Sequence, residues 1–220
     1  MFHHHQIDAS YHALEVLEVS ALEKILRGDG YHGVSVSMPY KKSVLAYLNR
    51  LTEKAKKFES CNSILNVDGA LMGHNTDIFG ILKSLEKLGS GDSVMLLGDG
   101  SIAQQYSQVL SERGVPFTQS SRNRGNWDSR HFETADILIN ATSIGTINSD
   151  SPINSVTNFK FVIDLSLKQG QLFLSCRENG IPYFSGMEFY KEVFRNQFEF
   201  YTGIQPDIEF YSKLEANLGT

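Results

Sequence analysis

Short apolar runs alternate with stretches of helical periodicity along the chain, a pattern typical of βα units on a mostly parallel sheet. In the first third, the pattern predicts strands over residues 11–19 and 34–38 and helices over 20–27 and 42–57. Residues 63–72 predict a hairpin that turns at Asp68-Gly69, and a helix is predicted over 76–88.

After a short linker at residues 89–92, predicted strands and helices alternate at shorter intervals. Residues 94–97 are a continuous apolar run of the kind that is buried on both faces of a sheet. Further strands are predicted over 115–120, 136–141 and 161–165, and helices over 101–114 and 188–201, with a tail over 204–218 interpreted as another helix.

Composition narrows the class of protein. The 20 Lys and Arg against 25 Asp and Glu give a formal charge of −5, which offers no basic footprint for nucleic acid. No apolar run reaches the roughly 20 residues that a membrane helix needs. The two cysteines, Cys61 and Cys176, lie far apart, which is typical of a reducing compartment and excludes a disulfide framework or a zinc ribbon. The sequence therefore predicts a cytoplasmic protein, monomer or homodimer, without a nucleic-acid or membrane partner.

The N-terminal residues carry neither a signal peptide nor a predicted metal site. Residues 1–6 lack a charged segment and an apolar core. Three consecutive histidines, His3 to His5, are followed by no nearby cluster of carboxylates or cysteines, so no metal is predicted.

A glycine-rich turn lies directly after the buried strand predicted at 94–97. Its sequence fits G-x-G-x-x-A and opens a predicted helix. The first glycine permits a tight turn, the second lets a pyrophosphate approach the backbone, and the alanine permits close packing of helix on strand. Exposed N–H groups and the helix dipole favour phosphates there. The candidate cofactor-binding residues are Gly98, Asp99, Gly100, Ser101, Ile102 and Ala103.

These patterns predict an α/β protein of two domains. The first is an α/β domain of residues 1–78 plus 187–220, and the second is a Rossmann-type parallel-sheet domain of residues 79–186 that binds a dinucleotide.

The end of the second strand of that domain indicates which dinucleotide binds. NAD sites carry an acid about 20 residues after the glycine turn, whereas NADP sites present an arginine. Residues 120–124 read Ser-Ser-Arg-Asn-Arg, with no acid. Ser121, Arg122 and Arg124 are therefore candidates for binding a 2′-phosphate, with a solvated basic loop as the alternative. The carboxylate of Asp99 is expected either to face solvent or to weaken binding of the phosphates.

Several segments together resemble the shikimate dehydrogenase family. They are GVSVSMPYK at 33–41 (family G-x-N-V-T-x-P-x-K), Asn62-Ser63 (Asn-Thr), GHNTDIFG at 73–80 (G-x-N-T-D-x-x-G), the glycine turn at 98, and NATSIG at 140–145 (N-A-T-S-x-G). Their order and spacing hold from about residue 7 to the end of the chain.

The resemblance implies an NADP-dependent oxidoreductase that reduces 3-dehydroshikimate to shikimate. It implies that Lys41 and Asp77 are the catalytic pair, facing each other across a cleft, because oxidation of an alcohol must release the hydroxyl proton as well as a hydride. From the residues alone, a surface lysine and a helix N-cap aspartate remain alternatives. The further residues implied are Ser37, Asn62 and Asp77 for the substrate, and Asn140, Thr142, Ser143 and Gly186 for the cofactor.

The chain departs from the family pattern at four places. The family begins with a strand and a Ser-x-Ser-Pro loop that binds the substrate carboxylate, and the sequence begins after that point. Ser35, Leu167 and Val193 stand where the family has Asn, Tyr and a substrate-binding Gln. Each lost hydrogen bond to a charged group costs about 1.5–3 kcal/mol, which leaves two alternatives open. One is a relative that acts on quinate or an amino-substituted polyol acid, and the other is a nucleotide-binding protein without turnover.

Overall fold

The computed structural model describes residues 2–28, 30–146 and 150–206. The chain divides into two compact units. The first unit runs to Thr76 and resumes at Val193, and the second comprises Asp77–Glu192. The tail predicted as a helix over 204–218 lies almost wholly outside the described residues.

The first unit is built on a mixed four-stranded sheet with strand order β1-β3-β4-β2. The central hairpin pairs Ser63 with His74 and Val67 with Ala70, which confirms the turn predicted at Asp68-Gly69. Buried residues from helix, strands and loops form the core, among them Leu26, Val44, Ile64 and Leu71. The elements are α1 (Val19–Arg27), β1 (Gly33–Ser35), β2 (Arg50–Leu51), α2 (Glu53–Phe58), β3 (Ser63–Val67) and β4 (Ala70–His74).

The strand predicted over residues 11–19 is wrong. Residues 7–18 have no regular secondary structure, and α1 already begins at Val19. A cavity of about 720 Å³ is lined by residues 10–16 and by residues 33–40 of the β1 region. An apolar run becomes a strand only when its backbone groups find a partner. Within the described residues β1 pairs only with β3, and Leu17 remains 85% exposed.

The long helix predicted over residues 42–57 is also wrong. The chain forms a 3₁₀ turn at Ser43–Tyr47, joins the sheet as β2 and only then enters α2. Two polar side chains redirect the backbone. Asn49 Oδ1 accepts a hydrogen bond from Leu71 N at 2.9 Å, which joins this segment to β4. Thr52 Oγ1 accepts from Ala55 N at 3.3 Å and starts α2, as short polar side chains do when they compete with a continuous helix.

The second unit carries a five-stranded, all-parallel sheet with strand order β6-β5-β7-β8-β9. Its interior strands are buried along their whole length, which is why they are continuous apolar runs. The predicted α/β class with a Rossmann-type sheet is confirmed. The elements are α3 (Asp77–Ser84), β5 (Val94–Leu97), α4 (Ser101–Glu112), β6 (Phe117–Ser120), β7 (Ile137–Asn140), β8 (Phe161–Asp164), α5 (Gln171–Glu178), β9 (Tyr183–Ser185) and α6 (Gly186–Thr202), the last continuing into the first unit.

Helix α3 is shorter than the predicted 76–88 because both of its ends are fixed by side chains. Thr76 N donates to Asn62 Oδ1 at 2.9 Å, which holds the residue just before the helix against the start of β3. Ser84 Oγ donates to Ile81 O at 2.8 Å, and the chain continues as a 3₁₀ turn at Leu85–Lys87. Among the described residues, no helix is both long and apolar enough to cross a membrane.

Candidate active site

The order of the parallel strands places a binding crevice at the ends of β5 and β7. The chain moves to one side of β5 to form β6 and then to the other side to form β7. Ligands of such sheets bind where this reversal occurs, outside the carboxyl ends of the strands. Gly98 directly follows β5 with φ +110°, and a Cβ there would lie 2.8 Å from Ala141 O, just after β7. Only glycine permits this close approach.

The start of α4 fits the pyrophosphate of a dinucleotide. A Cβ added at Gly100 would meet nothing within 4 Å, so its backbone is open to a ligand. Gly100 is the N-cap and provides no side-chain hydrogen bond to the first turn of α4. The uncapped N–H groups and the helix dipole therefore favour an anion. Ala103 is fully buried, in keeping with close packing of α4 on the sheet.

The loop after β6 brings two arginines beside this turn. Arg122 and Arg124 are both exposed. Ser121 is buried, and its hydroxyl accepts a hydrogen bond from Arg124 N at 3.1 Å. The guanidinium of Arg122 lies 5.9 Å from the ring centroid of Trp127. The loop is thus held at its base while its cations face solvent, a suitable arrangement for a phosphate group.

The loop after β7 is held by its own side chains. Asn140 Oδ1 accepts from Thr142 Oγ1 at 2.6 Å, and Asn140 Nδ2 donates to Ile144 O at 3.1 Å. Ser143 is exposed, and its carbonyl accepts from Thr146 N at 3.2 Å. The Asn140 and Thr142 side chains therefore fix the shape of the loop.

A buried carboxylate supports this loop from β8. Asp164 Oδ1 accepts from Asn140 Nδ2 at 2.8 Å, and Asp164 Oδ2 accepts from Tyr183 Oη at 2.8 Å. Burial raises the pKa of Asp164, although these hydrogen bonds oppose the shift. Gly186 follows β9, and a Cβ there would lie 2.4 Å from Ser166 O. The structure thus explains a glycine at 186 by close backbone packing.

In the first unit, Asn62 is the centre of a buried hydrogen-bonded cluster. Asn62 Oδ1 accepts from Thr76 N at 2.9 Å and from Ser63 Oγ at 2.9 Å. Asn62 Nδ2 donates to Thr76 Oγ1 at 2.9 Å. Since the Thr76 amide can only donate, it determines which way the Asn62 amide is oriented. The cluster thereby fixes the residue that immediately precedes Asp77.

Gln197 on α6 also belongs to this cluster. Gln197 Nε2 donates to Ser63 Oγ at 2.9 Å and to Asn62 O at 3.3 Å. One turn further along α6, Tyr201 Oη lies 3.0 Å from Ser35 Oγ. Sequence reasoning missed both contacts because they join positions more than 130 residues apart and no local pattern encodes them.

The predicted catalytic and substrate residues are distributed over the two units. Lys41 is half-buried, and its carbonyl accepts from Cys61 N at 2.8 Å, so its backbone lies beside the Asn62 segment. Ser37 is exposed, and its carbonyl accepts from Tyr40 N at 3.0 Å. Asp77 is buried at the first residue of α3. Burial and the Asp77 charge raise the pKa of Tyr190.

His74, at the end of β4, is a neutral neighbour of the cluster at ordinary pH. Burial, with the nearby charge of Lys54, lowers its pKa to about 4. His74 Nδ1 lies 2.8 Å from Thr52 Oγ1, and its ring packs against Phe200 with centroids 4.9 Å apart. The imidazole therefore serves packing and hydrogen bonding there without adding charge.

Replacing Gln197 with leucine is expected to lower the free energy of unfolding by about 1–2 kcal/mol, because the buried cluster loses a donor. Urea denaturation would measure the change. Gln171→Leu, at an exposed position of α5, is the control and is expected to stay within about 0.5 kcal/mol of wild type. Equal stability of Gln197→Leu and wild type would show that Gln197 does not support the cluster.

The chain is similar to known proteins. A family model described as "Shikimate dehydrogenase substrate binding domain" matches residues 1–64. A shikimate dehydrogenase (NADP(+)) of Pyrococcus abyssi is 30% identical to this chain, over 97% of this chain and 89% of that protein.

Solved structures share the fold. Shikimate dehydrogenase 1 from Peptoclostridium difficile matches with a TM-score of 0.85 at 22% identity, over 99% of this chain and 89% of that one. Shikimate 5-dehydrogenase from Thermus thermophilus, solved with shikimate, matches with a TM-score of 0.79 at 22% identity, over 100% of this chain and 91% of that one.

The parallel sheet and the glycine turn at the start of α4 are features of a Rossmann-type dinucleotide-binding domain, and the curated relatives that match the chain are NADP-dependent oxidoreductases. The chain belongs to the shikimate dehydrogenase family, because it matches the Pyrococcus shikimate dehydrogenase along nearly the whole length of both proteins.

Proposed function

We propose that this protein is an NADP-dependent dehydrogenase that interconverts 3-dehydroshikimate and shikimate. The observation that carries the proposal is the hydrogen bond from Cys61 N to Lys41 O, which holds the Lys41 backbone beside the buried Asn62 cluster. The Lys41 backbone is thus held next to an oriented amide, and we propose that the Lys41 ammonium and this amide bind a polyol acid together. The names of the relatives support the same substrate and cofactor.

The glycine turn and the arginine loop would hold the cofactor. Gly98 makes the tight turn after β5, Gly100 leaves room for the pyrophosphate at the start of α4, and Arg122 and Arg124 lie in the loop after β6, where a 2′-phosphate is recognised. When bound, the nicotinamide supplies or accepts the hydride. The hydrogen bond between the Asn140 and Thr142 side chains keeps the loop after β7 in one shape, which we propose helps to bind the cofactor.

The proton is assigned to Lys41 and Asp77. During reduction, the carbonyl carbon of the substrate gains a hydride and its oxygen gains a proton. We assign that proton to Lys41 Nζ, with the Asp77 carboxylate orienting the ammonium and binding a substrate hydroxyl. During oxidation the same proton returns to Lys41. Asn62 and Ser37 are proposed to bind further hydroxyls of the ring.

A steady-state assay of the full chain with NADP⁺ would test the proposal, with shikimate, quinate and an amino-substituted analogue as separate substrates. We expect NADPH to form fastest with shikimate. Faster turnover of quinate or of the analogue would identify that compound as the substrate of the same reaction and would reject shikimate. Binding of NADP⁺ without turnover of any polyol acid would identify a nucleotide-binding protein and reject the enzymatic proposal.

A further inference from the structure

The side chain of Asp99 has a defined position in the dinucleotide turn. Asp99 Oδ2 accepts a hydrogen bond from Ser121 Oγ at 3.0 Å, which directs the carboxylate toward the end of β6. Ser121 is buried, and its hydroxyl also accepts from Arg124 N at 3.1 Å. The backbone of Asp99 is held as well, because its carbonyl accepts from Gln104 Nε2 at 3.0 Å. The carboxylate is therefore fixed at the base of the arginine loop.

The end of β6 is the position where Rossmann-type sites distinguish the two dinucleotides. A carboxylate there accepts hydrogen bonds from the ribose hydroxyls of NAD, and an arginine there neutralises the 2′-phosphate of NADP. Residues 120–124 contribute two arginines and no acid. An acid nevertheless lies at this position, because the hydrogen bond from Ser121 Oγ holds the Asp99 carboxylate of the glycine turn beside the end of β6. One site thus contains both kinds of recognition group.

We propose that Asp99 is a specificity-determining residue that restrains the preference for NADP(H) and lets the site accept NAD(H). An ionised carboxylate can only accept hydrogen bonds, so it suits the 2′-hydroxyl, which can donate. The same carboxylate repels a 2′-phosphate, and this repulsion opposes the attraction of Arg122 and Arg124. The inference rests on the proposed function, because it requires that the turn binds a dinucleotide.

Asp99→Asn is the informative variant because it removes the charge and keeps the shape. Its amide oxygen can still accept from Ser121 Oγ. Asp99→Ser is a second variant that shortens the side chain and also removes the charge, so the comparison does not depend on one replacement. Glu112→Gln is the matched control. It removes one negative charge at the other end of α4, about 16 Å along the helix axis.

Isothermal titration calorimetry of the full chain with 2′,5′-ADP and with 5′-AMP tests the proposal without any turnover. These nucleotides differ in the 2′-phosphate and lack the nicotinamide. We expect Asp99→Asn and Asp99→Ser to bind 2′,5′-ADP about tenfold more tightly than wild type, the effect of one partly screened like charge. Binding of 5′-AMP is expected to stay equal or weaken, and Glu112→Gln is expected to match wild type with both nucleotides.

Two results would overturn the inference while leaving the proposed function intact. In the first, wild type binds both nucleotides, and both Asp99 variants bind them with the same ratio of affinities as wild type. The other is an equal gain in Glu112→Gln, which would assign the effect to net charge. If wild type binds neither nucleotide, the dinucleotide site itself is rejected, and the role of Asp99 is rejected with it.

Discussion

Replacing Lys41 with alanine is expected to lower kcat by about 10²–10⁴-fold, the usual contribution of general acid–base catalysis. The substrate oxygen must gain or lose a proton as the hydride moves, and Lys41 is the group assigned to that proton. KM is expected to change less, since the lost interaction acts mainly in the transition state. Steady-state kinetics with shikimate and NADP⁺ would measure both parameters.

Lys42→Ala is the matched control because Lys42 is the next residue and is exposed. It is expected to retain wild-type kinetics. Asp77→Asn keeps the shape of the side chain and removes the charge to which the proposal assigns the orientation of the ammonium, so both kcat and KM are expected to worsen. A Lys41→Ala enzyme that retains its kcat would show that the proton is handled by another group.

Replacing Arg122 with alanine is expected to weaken NADP(H) binding by about 1.5–3 kcal/mol and to leave NAD(H) binding nearly unchanged. The guanidinium is expected to contact the 2′-phosphate, which NAD(H) lacks. Trp127, the only tryptophan of the chain, lies beside Arg122 and provides a fluorescence signal for the titration.

Arg113→Ala is the control for the loss of one positive charge. Arg113 caps the far end of α4 and is exposed. Equal losses of NADP(H) and NAD(H) affinity in Arg122→Ala would assign Arg122 a general electrostatic role. Unchanged binding of both would show that Arg122 belongs to a solvated loop.

The sequence alone predicted the parts of the fold that depend on local patterns. The run at 94–97, followed by Gly98, predicted a buried strand and the start of a helix, because burial on both faces needs continuous apolar residues and a tight turn needs glycine. The hairpin at Asp68-Gly69 was predictable because both turn residues adopt positive φ. The motifs around Asp77 and Asn140 identified the family before any coordinates. The roles assigned to Lys41, Asp77 and Asn62 remain predictions.

Only the tertiary structure determined the elements that depend on distant partners. Residues 11–19 do not form a strand because no segment in the described part of the chain pairs with them. The predicted helix over 42–57 is interrupted because Asn49 bonds to Leu71, a partner 22 positions away. Local propensity does not predict such contacts, because it depends only on residues that are close in sequence.

The same distinction holds for the candidate site. Gln197 reaches Ser63 across 134 positions, and Asp99 turns toward Ser121 across 22, although sequence reasoning left the direction of Asp99 open. Residue types and spacing determined which groups belong to the dinucleotide turn and to the polar cluster. The folded chain determined which atoms of those groups bond to one another, because hydrogen-bond direction depends on three-dimensional geometry that sequence spacing does not specify.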